Sequence, residues 1–247
     1  MKEYIAGIDV GGTKINVAVA DTAGTIIFRR KTPTNVKTAT LSPADMIADS
    51  LKTICADKNI LPEHIKVISL AMPGPVDHKR CVVHKCPNIP GLIETDMEKP
   101  FHPYFNADVI IENDARAAGF AEAVSGAGKN FDHVFFATVS TGIGGALIIN
   151  GKIYHGGAGA AGELGQTLLS DGTVFESAVS GPSLERKFSI TPEDIPEKVH
   201  AGDITALKAL DYLVENLGVL LGNVTTLLSP DVIVIGGGLS NLGEIFL

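Results

Sequence analysis

The sequence contains no tryptophan, only three cysteines and no long uninterrupted apolar run. Cys55, Cys81 and Cys86 are an odd number without the spacing of a disulfide framework, which favours a reducing compartment. No segment approaches the ~18 consecutive apolar residues of a membrane-spanning helix. The N-terminal residues also lack the apolar core of a secretory signal. We therefore expect a cytoplasmic protein that does not associate with a membrane.

Basic residues are in the minority, with 20 Lys and Arg against 28 Asp and Glu, and the formal net charge is −8 at pH 7. An acidic surface repels the phosphate backbone of nucleic acids, so no nucleic-acid partner is expected. The 247 residues are 45% hydrophobic and 19% charged, as is typical of a folded globular chain that is long enough for one large or two modest domains.

Both halves of the chain open with short apolar strands separated by turn residues. This pattern predicts an α/β protein with two lobes of related design, residues 1–113 and 114–247. The predicted strands are 4–10, 15–20, 25–31, 66–71 and 108–112 in the first half, and 134–139, 146–149, 152–154 and 231–235 in the second. Helices are predicted at 43–58, 115–124, 182–188 and 204–228.

Three glycine-rich turns, at 11–12, 142–145 and 236–238, each follow an apolar strand. Glycine allows successive backbone amides to approach a phosphate without interference from a Cβ atom. One such turn is usually only structural, but three turns spread over both halves are better explained by a shared nucleotide. The chain lacks the P-loop motif GxxxxGK[ST]. It also has Asn241 where the dinucleotide fingerprint requires Gly or Ala.

Four motifs occur in order: DVGGTK at 9–14, ENDA at 112–115, STGIGG at 140–145 and VIGGG at 234–238. Together with Gly162-Glu163 they resemble the motifs of the ROK family of sugar kinases (repressors, open reading frames, kinases) over essentially the whole chain. The resemblance implies a two-lobed actin-like ATPase (ribonuclease H-like) fold with a duplicated strand meander in each lobe. It also implies ATP-dependent phosphorylation of a monosaccharide hydroxyl, as in glucokinases and fructokinases.

The same resemblance assigns ATP and Mg²⁺ to the first glycine turn. It implies that Asp9 holds the metal ion through water and that Gly11, Gly12 and Thr13 lie along the phosphates. Lys14 either neutralises phosphate charge or is simply solvated. The alternative is that Asp9 only caps a structural turn.

The other two turns are implied to contact the same nucleotide. Thr141 and Gly142 are expected nearest the γ-phosphate, and Gly236 and Gly237 on the adenosine side. The alternatives are a plain hairpin bend and a plain helix entry.

Asp114 is implied to be the catalytic base, and Asn113 to bind the sugar by a hydrogen bond. Phosphoryl transfer requires an in-line hydroxyl and a group that accepts its proton, which a carboxylate provides. From the residues alone, Asp114 is equally well placed to be the N-cap of the alanine-rich helix that follows. Both interpretations can hold at once.

The implied sugar contacts also include Glu163, Gln166, Glu176 and, in the loop 88–91, Asn88, where an ordinary turn is the alternative. The family usually has His at position 166, followed by a cysteine cluster that holds a structural zinc ion. This chain has Gln166 and no cysteine in 167–175, so we predict no zinc site there. His78, Cys81, His84 and Cys86 match no standard zinc spacing either.

Three other functions remain open: a non-catalytic sugar- or nucleotide-binding module, a transcriptional regulator of the same family, and an ATPase or acyl kinase of the wider superfamily. Regulators carry a winged-helix domain before the first phosphate turn, where this sequence has eight residues, so a regulator is disfavoured. Family members usually continue past the third turn, so we expect a truncated or an unusually short member. They are commonly dimers, so a homodimer is one expected form. The motifs do not specify which sugar is bound.

Overall fold

The computed structural model describes residues 2–34, 41–86, 88–140, 142–238 and 240. The strands are β1 (Tyr4–Val10), β2 (Lys14–Asp21), β3 (Ile26–Pro33), β4 (Ile65–Met72), β5 (Val76–Asp77), β6 (Val82–Lys85), β7 (Ile93–Asp96), β8 (Asp108–Asn113), β9 (His133–Val139), β10 (Ile143–Ile149), β11 (Lys152–Ile153) and β12 (Val232–Gly236). The helices are α1 (Pro43–Asp57), α2 (Asp114–Ser125), α3 (Phe175–Val179), α4 (Gly181–Phe188), α5 (Ile195–His200) and α6 (Ile204–Leu228).

The first large sheet has the strand order β3-β2-β1-β4-β8. β1, β2 and β3 are antiparallel neighbours, and β4 and β8 are added in parallel. Alternate residues of β1, such as Ile8 and Val10, are buried on one face, as period-2 patterning requires. They share a hydrophobic core with Leu51 and Ile54 of α1, whose N-cap Ser42 accepts a hydrogen bond from the Asp45 amide.

The second large sheet has the strand order β11-β10-β9-β12, with β9 and β10 antiparallel and β12 parallel to β9. The Asn150-Gly151 turn between β10 and β11 has positive φ at both residues, 50° and 69°, as a two-residue hairpin turn requires. Leu213 and Leu217 of α6 are buried in the same core as Phe135 of β9.

The chain divides into two compact units, Met1–Ala117 and Ala118–Leu247. In each unit an antiparallel three-stranded meander is extended by a parallel strand beside its first member, which confirms the duplicated meander. The division falls within α2, because the second half of that helix packs on the second sheet. A Cβ atom on Gly119 would lie 2.6 Å from the Ala146 Cβ atom and 2.8 Å from the Phe136 Cβ atom.

Several features differ from the sequence-based expectations. The predicted extent of the second glycine turn, 142–145, is wrong, because β10 already begins at Ile143 and only Gly142 of that range precedes the strand. The small sheet β5-β6-β7 and the short helices α3 and α5 had not been predicted. Among the described residues, none of the helices combines the length and the apolar character needed to cross a membrane.

The N-cap of α6 provides a test of the fold of the second unit. The Asp203 carboxylate accepts hydrogen bonds from the amides of Thr205, at 2.8 Å, and Ala206, at 2.9 Å. Asp203→Ala should therefore lower the free energy of unfolding by about 1 kcal/mol. Urea unfolding followed by circular dichroism measures this change. Asp211→Ala, at an exposed position of the same helix, is the control; equal effects of the two substitutions would contradict the cap.

Candidate functional site

In the first unit, the Gly11-Gly12 turn joins β1 to β2. The Gly11 amide donates to the Lys14 carbonyl at 2.9 Å, and the Thr34 hydroxyl donates to the Gly11 carbonyl at 2.8 Å. A Cβ atom on Gly12 would lie 2.7 Å from the Asn88 Cβ atom and 2.9 Å from the Asn88 carbonyl oxygen. The structure therefore brings Asn88, a predicted sugar residue, directly against the first predicted phosphate turn.

Asp9 lies at the end of β1, where its side chain is exposed. Its Oδ2 atom accepts a hydrogen bond of 2.8 Å from the Asn16 side-chain amide on the neighbouring strand β2. Thr13 and Lys14, which follow the turn, are exposed as well. An open cavity of about 660 Å³ is lined by Asp9, Asn16 and, among others, Arg29 of β3.

Asn113 is the last residue of β8 and is only 8% exposed. Its Oδ1 atom accepts a hydrogen bond of 3.1 Å from the Arg116 amide, and its Nδ2 atom donates to the Gly74 carbonyl at 3.2 Å. Asn113 is therefore the N-cap of α2, and the alternative that assigned the cap to Asp114 is wrong. One amide hydrogen of Asn113 remains for the predicted sugar contact.

A buried ion pair supports this strand-to-helix junction. Arg116 is only 2% exposed, and its Nε atom donates to the Glu112 Oε1 atom at 2.8 Å. The same carboxylate oxygen accepts the Asn113 amide at 2.8 Å. Sequence reasoning missed this pair, although an arginine inside an alanine-rich helix, four residues after a glutamate, was a visible signal.

Asp114 is the first residue of α2, and its Oδ1 atom accepts a hydrogen bond of 2.8 Å from the Ala115 amide. The carboxyl group keeps solvent access, but the surrounding protein atoms displace much of its hydration. This desolvation, reinforced by the negative charge of Asp9, raises the pKa of Asp114; the backbone amides and Arg116 partly offset the rise. The two predicted acidic residues therefore lie close enough to influence each other.

In the second unit, the second glycine turn lies between β9 and β10 and is held at both ends. The Ser140 amide donates to the Gly142 carbonyl at 2.8 Å, and the Ser140 carbonyl accepts from the Gly181 amide at 2.9 Å. At the other end, the Ile143 amide donates to the Glu176 Oε2 atom at 2.6 Å. Thr141, which was predicted to approach the γ-phosphate, lies outside the described residues.

The predicted sugar residues Glu163 and Gln166 lie at a short 3₁₀ helix, Leu164–Gln166: Glu163 precedes it, Gln166 is its last residue, and both are exposed. This segment packs tightly on β10. A Cβ atom on Gly165 would lie 2.3 Å from the Ile143 carbonyl oxygen, and one on Gly145 would lie 2.7 Å from the Gly162 carbonyl oxygen. Glu163, Gln166, Glu176 and the second turn therefore belong to one packed cluster.

The third glycine turn begins at Gly236, the last residue of β12, and lies against the second. Gly237 has a φ of 89°, and a Cβ atom there would lie 2.5 Å from the Val139 carbonyl oxygen. One on Gly236 would lie 2.9 Å from the Phe136 ring. Close packing therefore favours glycine at both positions, most strictly at Gly237, and the structure places two of the predicted nucleotide turns side by side.

Among the described residues, no group of three or more His, Cys, Asp and Glu side chains is arranged to hold a metal ion. His84 instead contacts Glu94, with 2.9 Å between Nδ1 and Oε1. Burial raises the pKa of Cys81 to about 12 and that of Cys55 to about 11, which keeps these thiols protonated and poor metal ligands. The expected absence of zinc stays a prediction.

The ROK family model matches residues 5–246. The chain belongs to the ROK family. A ROK hexokinase from Thermus thermophilus has a similar structure, with a TM-score of 0.83 and 27% identity over 98% of this chain and 86% of that one. A ROK glucokinase from Streptomyces griseus, solved with glucose and AMPPNP, has a TM-score of 0.76 and 28% identity over 100% and 86% of the two chains. The expected actin-like ATPase fold is confirmed.

Curated relatives within the family differ in function. A glucokinase from Halalkalibacterium halodurans is 29% identical over 99% of this chain and 83% of its own length. The xylose repressor of Bacillus subtilis is 28% identical over 94% of this chain and 63% of its own length. Membership of the family therefore leaves both a kinase and a regulator open.

The contact between Gly12 and Asn88 can be tested by adding a methyl group. Gly12→Ala should lower the free energy of unfolding by about 1–3 kcal/mol, because the new Cβ atom meets Asn88 and forces a backbone shift. Thermal or urea unfolding measures the loss. Gly7→Ala is the control, since a Cβ atom on Gly7 of β1 has no neighbour within 4 Å. Similar losses for the two variants would refute the close approach.

Proposed function

We propose that this protein transfers the γ-phosphate of ATP to a hydroxyl of a monosaccharide, with Asp114 as the catalytic base. The observation that supports this most directly is the Asp114 carboxylate, held at a capped strand-to-helix junction with a raised pKa and close to a second carboxylate, Asp9. The chain's ROK membership and its similarity to glucokinases supply the class of reaction.

Asp114 suits the role of a general base for physical reasons. A raised pKa makes the carboxylate a stronger proton acceptor than an ordinary aspartate. Asn113 caps α2 and so fixes the backbone of Asp114, the first residue of that helix. A sugar hydroxyl placed within hydrogen-bond distance of this carboxylate would lose its proton to Asp114 as it attacks phosphorus.

Asp9 fits the role of a Mg²⁺ ligand through water. Mg²⁺ prefers oxygen donors and usually keeps several of its waters, so one exposed carboxylate with a neighbouring amide suits it. When bound with ATP, the ion would neutralise phosphate charge. Gly11, Gly12 and Thr13 of the first unit would lie along the phosphates, and Lys14 would add a positive charge.

In the second unit, Thr141 and Gly142 would lie along the γ-phosphate, and Gly236 and Gly237 along the adenosine. The packing of these two turns against each other supports a shared ligand. Glu163, Gln166 and Glu176 of this unit would bind sugar hydroxyls, because carboxylate and amide groups form several hydrogen bonds each. Asn88 is proposed as a sugar contact for the same reason. With ATP as substrate, a cytoplasmic location follows from the same proposal.

A sugar-responsive regulator is the second candidate, supported by the similarity to the xylose repressor. A regulator would bind a sugar without consuming ATP. A coupled assay of ADP release, run with and without a panel of hexoses, pentoses and N-acetylhexosamines, separates the two functions. We expect at least one sugar to stimulate ADP release and to gain one phosphate by mass spectrometry. Sugar binding without either change would overturn the kinase and favour the regulator.

Asp114→Asn tests the proposed base. The variant should fold normally but lose roughly 10²- to 10⁴-fold in kcat, because the amide cannot accept the hydroxyl proton. Asp108→Asn, at the exposed start of the same strand β8, is the matched control and should keep the wild-type rate. If Asp114→Asn retains more than about a tenth of the wild-type rate, a barrier change of only ~1.4 kcal/mol, Asp114 is not the base.

The raised pKa of Asp114 also predicts a pH dependence. The ionised carboxylate is the active form, so kcat/KM should be maximal at pH values above this pKa and should fall as the pH drops through it. Because desolvation and the charge of Asp9 raise the pKa, the midpoint should lie above the usual aspartate value of about 3.9. Measuring kcat/KM for the sugar at saturating Mg-ATP from neutral to acidic pH tests this. A rate that is constant down to about pH 4 would contradict the assignment.

A further inference from the structure

The Ile143 peptide lies at the centre of the packed cluster in the second unit. Its amide donates to the Glu176 carboxylate at 2.6 Å. Its carbonyl oxygen lies so close to the backbone of Gly165 that a Cβ there would be 2.3 Å away. Ile143, which directly follows the second glycine turn, is therefore fixed at its amide by α3 and packed at its carbonyl against the Leu164–Gln166 segment.

The Glu176 carboxylate also determines the residue type at position 142. A Cβ atom on Gly142 would lie 2.9 Å from the Glu176 Oε2 atom. Glycine is thus needed at this position for the carboxylate to reach the Ile143 amide. Phosphate binding is not the only reason for a glycine here.

The same stretch of chain holds the other end of the turn. Glu176 lies in α3, and the Glu176 carbonyl accepts the Ser180 amide at 3.1 Å. The next residue, Gly181, donates its amide to the Ser140 carbonyl at 2.9 Å. The segment from α3 to the start of α4 therefore contacts the turn at both Ser140 and Ile143. Of these contacts, only the one from Glu176 is made by a charged side chain.

We propose that Glu176 is a positioning residue for ATP: its carboxylate fixes the Ile143 amide and thereby holds the second glycine turn in its phosphate-binding conformation. This rests on the proposed kinase function and goes beyond a sugar contact by Glu176. One carboxylate oxygen is committed to the turn, which leaves the other for the sugar. A hydrogen bond to a carboxylate is stronger than a neutral one, so its removal should loosen the turn.

Glu176→Ala and Glu176→Gln test the proposal against a role confined to the sugar. Glu176→Ala should raise the KM for ATP roughly 10- to 100-fold, because the Ile143 amide loses a charged acceptor. The KM for ATP of Glu176→Gln should stay within about fivefold of the wild-type value, since the amide oxygen of glutamine can still accept that hydrogen bond. Glu185→Gln, an exposed position on α4, is the matched control with no expected change.

Two outcomes would overturn the proposal. If Glu176→Ala raises only the KM for the sugar, the side chain is a sugar contact alone. If Glu176→Ala binds Mg-AMPPNP as tightly as wild type or more tightly, the carboxylate does not hold the turn for phosphate and instead competes with it. Calorimetry with Mg-AMPPNP, without sugar, distinguishes these results from the expected weakening.

Hydrogen exchange separates failure of this proposal from failure of the kinase assignment. In peptides covering 142–149, Glu176→Ala should accelerate exchange of the Ile143 amide, while Glu176→Gln should preserve its protection. This readout does not depend on activity. If wild type binds no nucleotide, the kinase function and the ATP role of Glu176 both fail, whereas unchanged exchange in Glu176→Ala rejects the positioning itself.

Discussion

The buried ion pair between Arg116 and Glu112 is the interaction on which the candidate active site depends. Arg116 is almost fully buried, and the Glu112 oxygen that it contacts also accepts the Asn113 amide. Removing one partner of a buried pair typically costs about 3–5 kcal/mol, because a charge is left uncompensated. The pair thus connects the end of β8 to the first turn of α2. Asp114 lies between these two segments, so the position of its backbone is fixed.

The glycine turns show that one residue type can serve packing and binding together. Gly12 admits Asn88, Gly142 admits the Glu176 carboxylate, and Gly237 admits the Val139 backbone. Each of these close approaches connects a predicted phosphate turn to another part of its unit. In the second unit they connect the predicted sugar residues to the turn that the γ-phosphate would contact. A kinase needs such connections, since sugar and nucleotide must be held together for transfer.

Long periodic elements could be predicted from the sequence, and short or long-range features could not. Strand β1 and helix α6 are long enough for their hydrophobic periodicity, alternating in the strand and helical in the helix, to predict where they lie. Strands of two to four residues, such as β5–β7, carry too little pattern. Asn113 and Asp114 are both good N-cap residues, so the sequence alone could not decide between them. The hydrogen bond from the Ile143 amide to the Glu176 carboxylate joins residues 33 positions apart, so no local sequence pattern predicts it.

In the proposed reaction, Asp114 removes the proton from the hydroxyl that receives the phosphate. A crystal structure of the protein with its monosaccharide substrate bound would test this role. If Asp114 is the base, one of its carboxylate oxygens should lie about 2.6–3.2 Å from the sugar oxygen that carries the phosphate in the product. A carboxylate that contacts a different hydroxyl, or none, would contradict it.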